Sequence, residues 1–586
     1  MKYRLICIAL LLCVLLSACG GKPEASGEAL FAERGSVERQ PLGDLAPAGT
    51  AETLLTALSD LGETPVPDWE DEAEAAPRLR LAEDAAGADA LVTDGSYIYM
   101  LDSYGLIVCS AAGAASEILS YTKVDRGGSA WSERLFLEGD RLAAVSAVSE
   151  VSEDGEVLFD SAETRVILLD VSDKGAPSVL AEAAVEGALL DACLLDGYLC
   201  LVAQRTLTAL PEKAEDLLPR LRENDKELRL KAGDVYVSAE PAHTALTVAA
   251  SVRMTDGRFA DALAFTDGVD AVYPAGDALW LSRTLWSDAA SAPYKEEPYT
   301  VVDYSSEART ELRRLRLEKG LFRLDGGCVL EGVLPDAGAL AADAAGISLF
   351  TRKDSRGFSA YTDPNHGWTN YELRRLDRSA ALSLLDGEGN AVGALTALGG
   401  EESAGACRFV GGLAWMTAGD AAAVYTADLS DPKHPKTTGS LPCEGETLLL
   451  RAFGEGRVLG LAPAENGWEL VMYDVTDPAP PRELDSRTLD DPAPAGDPTA
   501  RGVLFADPAS GLVGLPAAGD DGNVYLLVRW TGEKWKQKGA FALEYVPANA
   551  RGLLLNGLLY ICSPGEVYVT DPDQMRVLAT VSNAVG

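Results

Sequence analysis

A glycine turn followed by a short apolar run recurs along this chain, and its spacing limits the folds that the chain can adopt. Two examples are the segments DGYLCLV around Gly197 and NGLLYIC around Gly557. The nine glycines in such positions are Gly95, Gly139, Gly197, Gly276, Gly346, Gly411, Gly456, Gly511 and Gly557. Successive glycines lie 44 to 79 residues apart. A β-repeat of about 45 residues, lengthened in places by insertions, is typical of propeller blades. The sequence therefore predicts an all-β fold, a β-propeller of four-stranded antiparallel blades.

The number of blades is less constrained than their architecture. Propellers mostly have four to eight blades. One of the nine turns could be unrelated to the repeat, or the first and last units could share a blade. We expect eight blades, with seven or nine as alternatives. Each blade has four strands, A to D, and the glycine turn connects A to B.

A second repeated motif, Asp-x-Ser/Thr-Asp, follows the predicted third strand of several units. Its three clear copies begin at Asp170, Asp428 and Asp474, each with a proline seven positions later, and a weaker copy spans residues 569–575. Asp and Ser side chains bond the backbone just ahead of them and so favour turns. The middle copy also has Ser430 and Lys433 at the Ser-x-x-Lys spacing of acylating hydrolases, but the lysine does not recur. We interpret Ser430 as a turn residue.

The first 18 residues resemble the signal peptide of a bacterial lipoprotein. Lys2 and Arg4 precede an apolar run over residues 5–16, which is too short to span a bilayer. The run ends in Leu-Ser-Ala-Cys, which resembles a lipobox, where cleavage precedes the cysteine and its sulfur is then acylated. The resemblance predicts export, removal of residues 1–18, and attachment of Cys19 to lipid on the outer face of the bacterial cell membrane.

The mature chain divides into a tether and a propeller. Residues 19–85 are predicted to be a tether that contains a short helix at about 50–61 and an acidic linker over 65–77. Leu54, Leu55, Leu58 and Leu61 have helical spacing, and Gly62 is a stop signal. We expect the helix to dock on the propeller domain, which takes residues 86–586.

Charge and motif content exclude several classes of function. The formal net charge is −40, and a surface this acidic repels phosphate backbones, so no nucleic-acid partner is expected. The chain has no G-x-S-x-G, HExxH, EF-hand or P-loop motif. His243, His366 and His434 lie in three different units with no partner at ligand spacing. We therefore predict no catalytic residue, no metal site and no cofactor.

One pair of cysteines faces across a predicted hairpin. In CLLDGYLC, Asp196 and Gly197 form a two-residue turn, and counting outward places Cys193 opposite Cys200. The two sulfurs would be close in an oxidising compartment, but this position counts as a hydrogen-bonded pair, with its Cα atoms further apart. The sequence leaves a disulfide between Cys193 and Cys200 open.

Several segments together resemble one family of proteins. These are ADALVTDGSYIYML, TRVILLDVSDKGAP, and above all GACRFVGGLAWMTAGDAAAVYTADLSDPKHPKTTGSL followed by LVMYDVTDPAPP. They are similar to the secreted β-propeller proteins of bacteria and archaea that are distantly related to WD repeats. The resemblance covers about residues 50–582, including an insertion at 211–224. It implies the propeller fold and export, and it implies no activity.

The candidate binding residues lie in three insertions that follow predicted B strands, on the face opposite the glycine turns. They are Trp286, Tyr294, Tyr299, Phe358, Tyr361, His366, Trp368 and Trp468. Aromatic residues in polar loops favour recognition of a partner, unless the rings fold back to cap the loops. We expect a membrane-anchored binding or scaffolding module with a protein or glycan partner in the cell envelope. The alternative is an envelope hydrolase acting on glycan or peptide, which the abundance of Asp and Glu leaves open.

Overall fold

The computed structural model describes residues 33–34, 45–59, 78–81 and, with short internal gaps, 89–582. The predicted signal peptide, Cys19, the acidic linker and His243 lie outside the described residues. Four elements precede residue 89: β1 (Glu33–Arg34), β2 (Ala46–Pro47), α1 (Ala51–Ser59) and β3 (Arg78–Leu81). None of the helices in the described part is long and apolar enough to cross a membrane.

The strands from residue 91 onward form nine sheets among the described residues, numbered here 1 to 9 in chain order. Sheet 1 has β4 (Leu91–Thr93), β5 (Tyr97–Leu101), β6 (Gly105–Ser110) and β7 (Ile118–Lys123). Sheet 2 has β8 (Ser129–Glu138), β9 (Arg141–Val151), β10 (Val157–Asp170) and β11 (Ser178–Glu186). Sheet 3 begins with β12 (Ala188–Leu195) and β13 (Tyr198–Thr206). An insertion with β14 (Arg220–Glu223), β15 (Lys226–Arg229) and β16 (Val235–Val237) precedes its last strands, β17 (Ala245–Arg253) and β18 (Phe259–Thr266).

The middle sheets contain the longest strands. Sheet 4 has β19 (Ala271–Ala275), β20 (Ala278–Ala290), β21 (Tyr294–Glu296), β22 (Tyr299–Glu318) and β23 (Leu321–Glu331). Sheet 5 begins with β24 (Leu340–Ala342) and β25 (Ile347–Arg352). The inserted strands β26 (Ser355–Thr362) and β27 (Thr369–Asp377) follow, and then β28 (Ala380–Leu385) and β29 (Ala391–Leu398) complete sheet 5. Sheet 6 has β30 (Ala404–Val410), β31 (Leu413–Ala418), β32 (Ala423–Asp428) and β33 (Lys436–Pro442).

The last three sheets complete the ring. Sheet 7 has β34 (Thr447–Ala452), β35 (Arg457–Ala464), β36 (Gly467–Asp474) and β37 (Arg482–Leu489). Sheet 8 has β38 (Ala493–Pro494), β39 (Phe505–Asp507), β40 (Leu512–Gly519), β41 (Gly522–Trp530) and β42 (Trp535–Ala542). Sheet 9 has β43 (Arg551–Leu555), β44 (Leu558–Ser563), β45 (Glu566–Asp571) and β46 (Arg576–Ser582). Short 3-10 turns occupy Gly113–Ala115, Ala214–Leu217, Ala232–Asp234 and Ala337–Ala339.

Each sheet packs face to face with the next, and the ninth packs against the first. The apolar clusters between them are continuous around the ring. The closing cluster joins Ile98 and Ile107 of sheet 1 to Tyr560 and Val569 of sheet 9. Alternate side chains of each strand face opposite neighbours, because successive residues of a strand point to opposite faces. The prediction of an all-β propeller built from four-stranded antiparallel units is confirmed, and the nine sheets match an alternative rather than the expected eight.

Eight of the nine glycine turns connect the first two strands of a sheet, and Gly511 connects β39 to β40 of sheet 8, so none of them is unrelated to the repeat. Each of these glycines has positive φ, as at Gly197 (81°) and Gly557 (79°). An L-residue with a side chain adopts this conformation only at a cost, and glycine adopts it freely. The longer steps between glycines come from insertions inside sheets 3, 4 and 5.

The Asp-x-Ser/Thr-Asp motifs are turns between the third and fourth strands. Asp170, Asp428 and Asp474 each end a strand, and an Oδ1 atom of each accepts from the backbone N–H two residues ahead, at 2.9, 2.9 and 3.1 Å. The donor in the second copy is the N–H of Ser430. Burial raises the pKa of Asp428, but this hydrogen bond and Lys436 outweigh it and hold the pKa below its usual range. The interpretation of Ser430 as a turn residue agrees with this geometry.

Two insertions cross from one sheet to the preceding sheet. The insertion after β13 of sheet 3 places β14 beside β11 of sheet 2, with Arg222 opposite Ala184. The insertion after β25 of sheet 5 places β26 beside β22 of sheet 4, with Phe358 opposite Tyr304. Both insertions therefore join neighbouring sheets by backbone hydrogen bonds as well as by packing.

The segment before the propeller is attached to it at several points. Thr50 caps α1 by accepting from the N–H of Thr53 at 3.2 Å. Leu54 and Leu58 are fully buried in the cluster between sheets 2 and 3, which confirms the predicted docking of the helix. Strand β2 pairs with β16, β1 pairs with β29, and β3 pairs in parallel with β34, the first strand of sheet 7. Part of the predicted tether is therefore β-structure.

Candidate functional site

Sheet 4 extends beyond the ring through five strands, β20, β21, β22, β26 and β27, and we call this extension, residues 283–308 and 355–377, the arm. The outer half of β22 pairs with β20 on one side, where Tyr304 lies opposite Ala290. It pairs with β26 on its other side, and β26 pairs with β27. The arm lies where the sequence predicted insertions after the B strands. Its residues form strands, and not the loops that we expected.

The rings of the arm lie on two opposite faces. Register partners share a face, and residues two apart on a strand do so as well. One face, which we call the Phe358 face, contains Trp286, Tyr304, Phe358 and Tyr371. The opposite face, which we call the Asp303 face, contains Asp303, Tyr294, Tyr299 and Tyr361. Trp368 contacts Tyr299 on this face, with 5.7 Å between the ring centroids. The predicted residues in the arm are therefore close in space but form two surfaces.

The Phe358 face is partly the arm's own core. Phe358 is 5% exposed and stacks on Tyr304 at 4.6 Å with an angle of 15° between the rings. Tyr371 meets the edge of Phe358 at 5.7 Å. The expectation that Phe358 offers a surface ring is wrong, because a strand neighbour covers it on each side. Trp286 and Tyr371 remain exposed, at 37% and 49%.

The Asp303 face combines rings with a carboxylate. Asp303 Oδ1 accepts from Ser359 Oγ at 2.5 Å and from the Tyr294 hydroxyl at 3.5 Å. The backbone of Asp303 is fixed as well, since its N–H donates to Ser291 Oγ at 3.0 Å. Partial burial and the hydrogen bond to Asp303 raise the pKa of Tyr294. Tyr294 and Trp368 are 39% and 47% exposed, so this face presents two broad ring surfaces to solvent.

His366 lies at the tip of the arm, in the turn between β26 and β27. Its Nδ1 lies 2.9 Å from Asp363 Oδ2, and its side chain is 71% exposed. His434 has the same Asp-Pro-x-His arrangement on another sheet, with Nδ1 at 2.8 Å from Asp431 Oδ2. The recurrence of this geometry indicates a turn element. Within the described part of the chain, no group of three or more His, Cys, Asp or Glu residues could hold a metal ion.

Trp468 does not belong to the arm. It lies at the start of β36 in sheet 7, opposite Pro463, and it packs against the core between sheets 7 and 8. The hairpin there closes at Ala464 and Gly467 and is too short to extend beyond the ring. Trp468 is therefore separate from the other candidate binding residues.

Cys193 and Cys200 are register partners across the Asp196-Gly197 hairpin, as the sequence predicted. Both are buried free thiols in this structure and form no disulfide. Interaction with Cys200, together with burial, holds the pKa of Cys193 well above its usual value. Burial also raises the pKa of Cys109 to about 11. Such thiols are poor nucleophiles, because the thiolate is the reactive form.

A charged cavity on sheet 2 was not found by sequence reasoning. It has a volume of about 300 Å³ and is lined by strands β9, β10, β11, β14 and β15. Glu163 contacts both Arg165 and Arg222, and Glu186 contacts Arg220 at 3.0 Å. These carboxylates and guanidinium groups pair with one another in the cavity wall. Only the pairing of β14 with sheet 2 brings them together, and no local pattern in the sequence predicts it.

Four charged side chains are buried between sheets 3 and 4. Arg283, Asp267, Glu311 and Arg313 are 4%, 1%, 3% and 2% exposed. Arg283 contacts Asp267, donates from Nη2 to Glu311 Oε2 at 2.7 Å, and also reaches Ser238 Oγ. Arg313 contacts the other oxygen of Glu311 and lies over the Phe265 ring at 5.5 Å. The four charges sum to zero and form a network at the base of the arm.

A closed ring of four-stranded antiparallel sheets defines a β-propeller. The chain belongs to the β-propeller domain family, whose model matches residues 83–574. An uncharacterized protein of Archaeoglobus fulgidus is 28% identical over 192 residues, which are 32% of this chain and 29% of that protein. An uncharacterized protein of Methanocaldococcus jannaschii is 30% identical over 110 residues, 18% of each chain. The matched regions thus span less than a third of the length of these relatives.

Solved structures show weaker similarity. A functionally unknown protein from Desulfotomaculum acetoxidans has a TM-score of 0.31 and 10% identity, over 80% of this chain and 99% of that one. A periplasmic gluconolactonase from Pseudomonas aeruginosa has a TM-score of 0.29 and 12% identity, over 57% of this chain and 92% of that one.

Proposed function

We propose that this protein is an exported, lipid-anchored β-propeller that binds a partner in the cell envelope through its arm. The observation that carries the proposal is the exposure of Trp286 and Trp368 on an element that extends beyond the four-stranded units. Large exposed rings are unusual on a surface without a partner, and Trp is enriched in interface hot spots. The β-propeller fold supports a binding or scaffolding role, since its regular sheets hold such an extension in a fixed place.

The proposed anchor rests on the segment before Cys19, which resembles a lipoprotein signal peptide. Cell fractionation of the Cys19→Ala variant tests it. We expect the wild-type protein to pellet with membranes and the variant to be released. Retention of the variant in the membrane fraction would show that the anchor is wrong.

The binding role is tested by capture on isolated native envelopes, using the purified protein without its lipid. Trp286→Ala and Trp368→Ala should each reduce capture, by about thirtyfold in affinity if the ring is a hot spot worth about 2 kcal/mol. Tyr545 is a matched control, because it is 56% exposed and lies between sheets 8 and 9, outside the arm. Capture that is unchanged in both Trp variants refutes the proposal.

Folding of these variants must be followed in parallel. Truncating a core Trp would cost about 3–5 kcal/mol of stability. Since both rings are more than a third exposed, we expect melting temperatures close to that of the wild type. Early unfolding of both variants would assign the rings to the core and remove the basis of the proposal.

A further inference from the structure

We infer that the Asp303 face of the arm is a binding site for an uncharged oligosaccharide chain. The inference rests on the proposed function, since it names the ligand class of the arm, and it concerns one face only. Three kinds of observation carry it: the ring surfaces, the polar groups between them, and the sign of the surrounding charge.

The rings form a connected platform. Tyr299 packs edge-on against Tyr361 at 6.0 Å and lies tilted by 60° against Trp368 at 5.7 Å. Beneath them, Val301 is fully buried, so these rings are supported from below and keep their orientation. Tyr294, opposite Val301, adds a further ring on the other side of β22. Aromatic surfaces of this kind accept the apolar C–H faces of pyranose rings, and they need no charge on the ligand.

The polar groups lie between the rings. Asp303 Oδ1 is occupied by Ser359 and Tyr294, which fixes the carboxylate. Among the residues that the structure describes, no protein group forms a hydrogen bond with the hydroxyls of Tyr299 and Tyr361 or with Asp303 Oδ2. A fixed carboxylate oxygen accepts hydrogen bonds from sugar hydroxyls, and phenol groups both donate and accept. Rings flanked by such groups match a polyhydroxylated chain better than an apolar peptide.

The negative charge of the Asp303 face favours uncharged glycans over acidic ones. Glu296 is the register partner of Tyr299, and Glu372 is the register partner of Ser359, so both lie on the Asp303 face. With Asp303 they place three carboxylates around the rings. The chain as a whole carries a net charge of −40, which adds to the repulsion of anions. Polymers bearing phosphate or carboxylate groups are therefore disfavoured at this face, and neutral chains are not.

Affinity electrophoresis and tryptophan fluorescence on the full mature protein test the inference. The probes are two neutral oligosaccharides, chitohexaose and maltohexaose, and one acidic polymer, polygalacturonate. We expect binding to a neutral probe and weaker or no binding to polygalacturonate. Trp368→Ala and Asp303→Asn should each lower the affinity at least about tenfold, which corresponds to about 1.4 kcal/mol. Tyr371→Ala is the matched control, because Tyr371 is equally exposed on the same arm but lies on the Phe358 face.

Four kinds of result decide between the possibilities. A loss confined to Trp368→Ala and Asp303→Asn supports the site. Preference for polygalacturonate, absence of binding to both neutral probes, or an equal loss in Tyr371→Ala overturns it. If the probes fail while Trp286→Ala and Trp368→Ala still abolish envelope capture, the arm is a binding element for another class of ligand. If envelope capture is also unchanged, the proposed function itself is wrong.

Discussion

The buried charge network at the base of the arm allows a test of how much paired charges contribute to the stability of the propeller. Glu311→Gln removes one negative charge and keeps the shape of the side chain. Arg313 then has no contacting carboxylate among the described residues, whereas Arg283 keeps its contact with Asp267. Breaking a buried ion pair by neutralising one partner costs about 3–5 kcal/mol, because the remaining charge is buried without compensation. We expect the free energy of unfolding to fall by that amount.

The assay is urea unfolding followed by tryptophan fluorescence at neutral pH. Glu307→Gln is the matched control, since Glu307 lies four residues earlier on the same strand and is exposed. A surface substitution of this kind changes stability by less than about 0.5 kcal/mol. A Glu311→Gln variant as stable as the Glu307→Gln variant would refute the reasoning.

Two further measurements separate charge from packing. Removing both partners, as in Glu311→Leu with Arg313→Met, should cost less than Glu311→Gln alone, because no charge is left unpaired. Burial raises the pKa of Glu311, but Arg313 and Arg283 outweigh it and hold the pKa below its usual range. A depressed pKa stabilises the fold above the unfolded-state value and loses that contribution as the pH falls. The difference in free energy of unfolding between the wild type and Glu311→Gln should therefore decrease when the pH falls below the usual titration range of glutamate.

Four other substitutions have expected outcomes. Asp428→Ala should lower stability by about 1 kcal/mol in thermal unfolding, because it removes a turn hydrogen bond, whereas Ser430→Ala should leave both stability and any hydrolase activity unchanged. Leu58→Ala should cost about 2–5 kcal/mol and raise hydrogen exchange over residues 51–59; unchanged exchange would mean that the helix does not depend on its docking. Arg551→Ala should make the protein more sensitive to proteolysis, because Arg551 Nε donates to Asp89 Oδ2 at 2.7 Å where sheet 9 packs against sheet 1 and closes the ring. A variant as resistant to protease as the wild type would contradict that role.

Much of the local structure could be predicted from the sequence, because local rules determine it. Glycines with positive φ define the turns at Gly197 and Gly557, and the two-residue hairpin sets the register of Cys193 with Cys200. Helical leucine spacing likewise identifies α1. The position of each insertion after a B strand follows from the same turn pattern.

The rest depends on contacts between residues distant in sequence. Nothing local indicates that the insertion of sheet 5 pairs with β22, and that pairing is what buries Phe358 under Tyr304. The segment TELRRLRLE alternates apolar and charged residues and suggests a half-exposed strand. In the structure Glu311 and Arg313 are buried, because sheet 3 covers that face and supplies Asp267 as a partner for Arg283.

The two crossing insertions also imply an order in which the nascent chain can assemble. Each insertion pairs with a sheet that has already been synthesised, β14 with sheet 2 and β26 with sheet 4. During translation, each insertion can therefore pair with a preceding sheet that has already been synthesised, before the last two strands of its own sheet exist. Strand β3 has the opposite dependence, since its partner β34 is made much later. We expect β3 to stay unpaired until most of the ring has been synthesised, whereas α1 and β2 can dock early, because their partners lie in sheets 2 and 3.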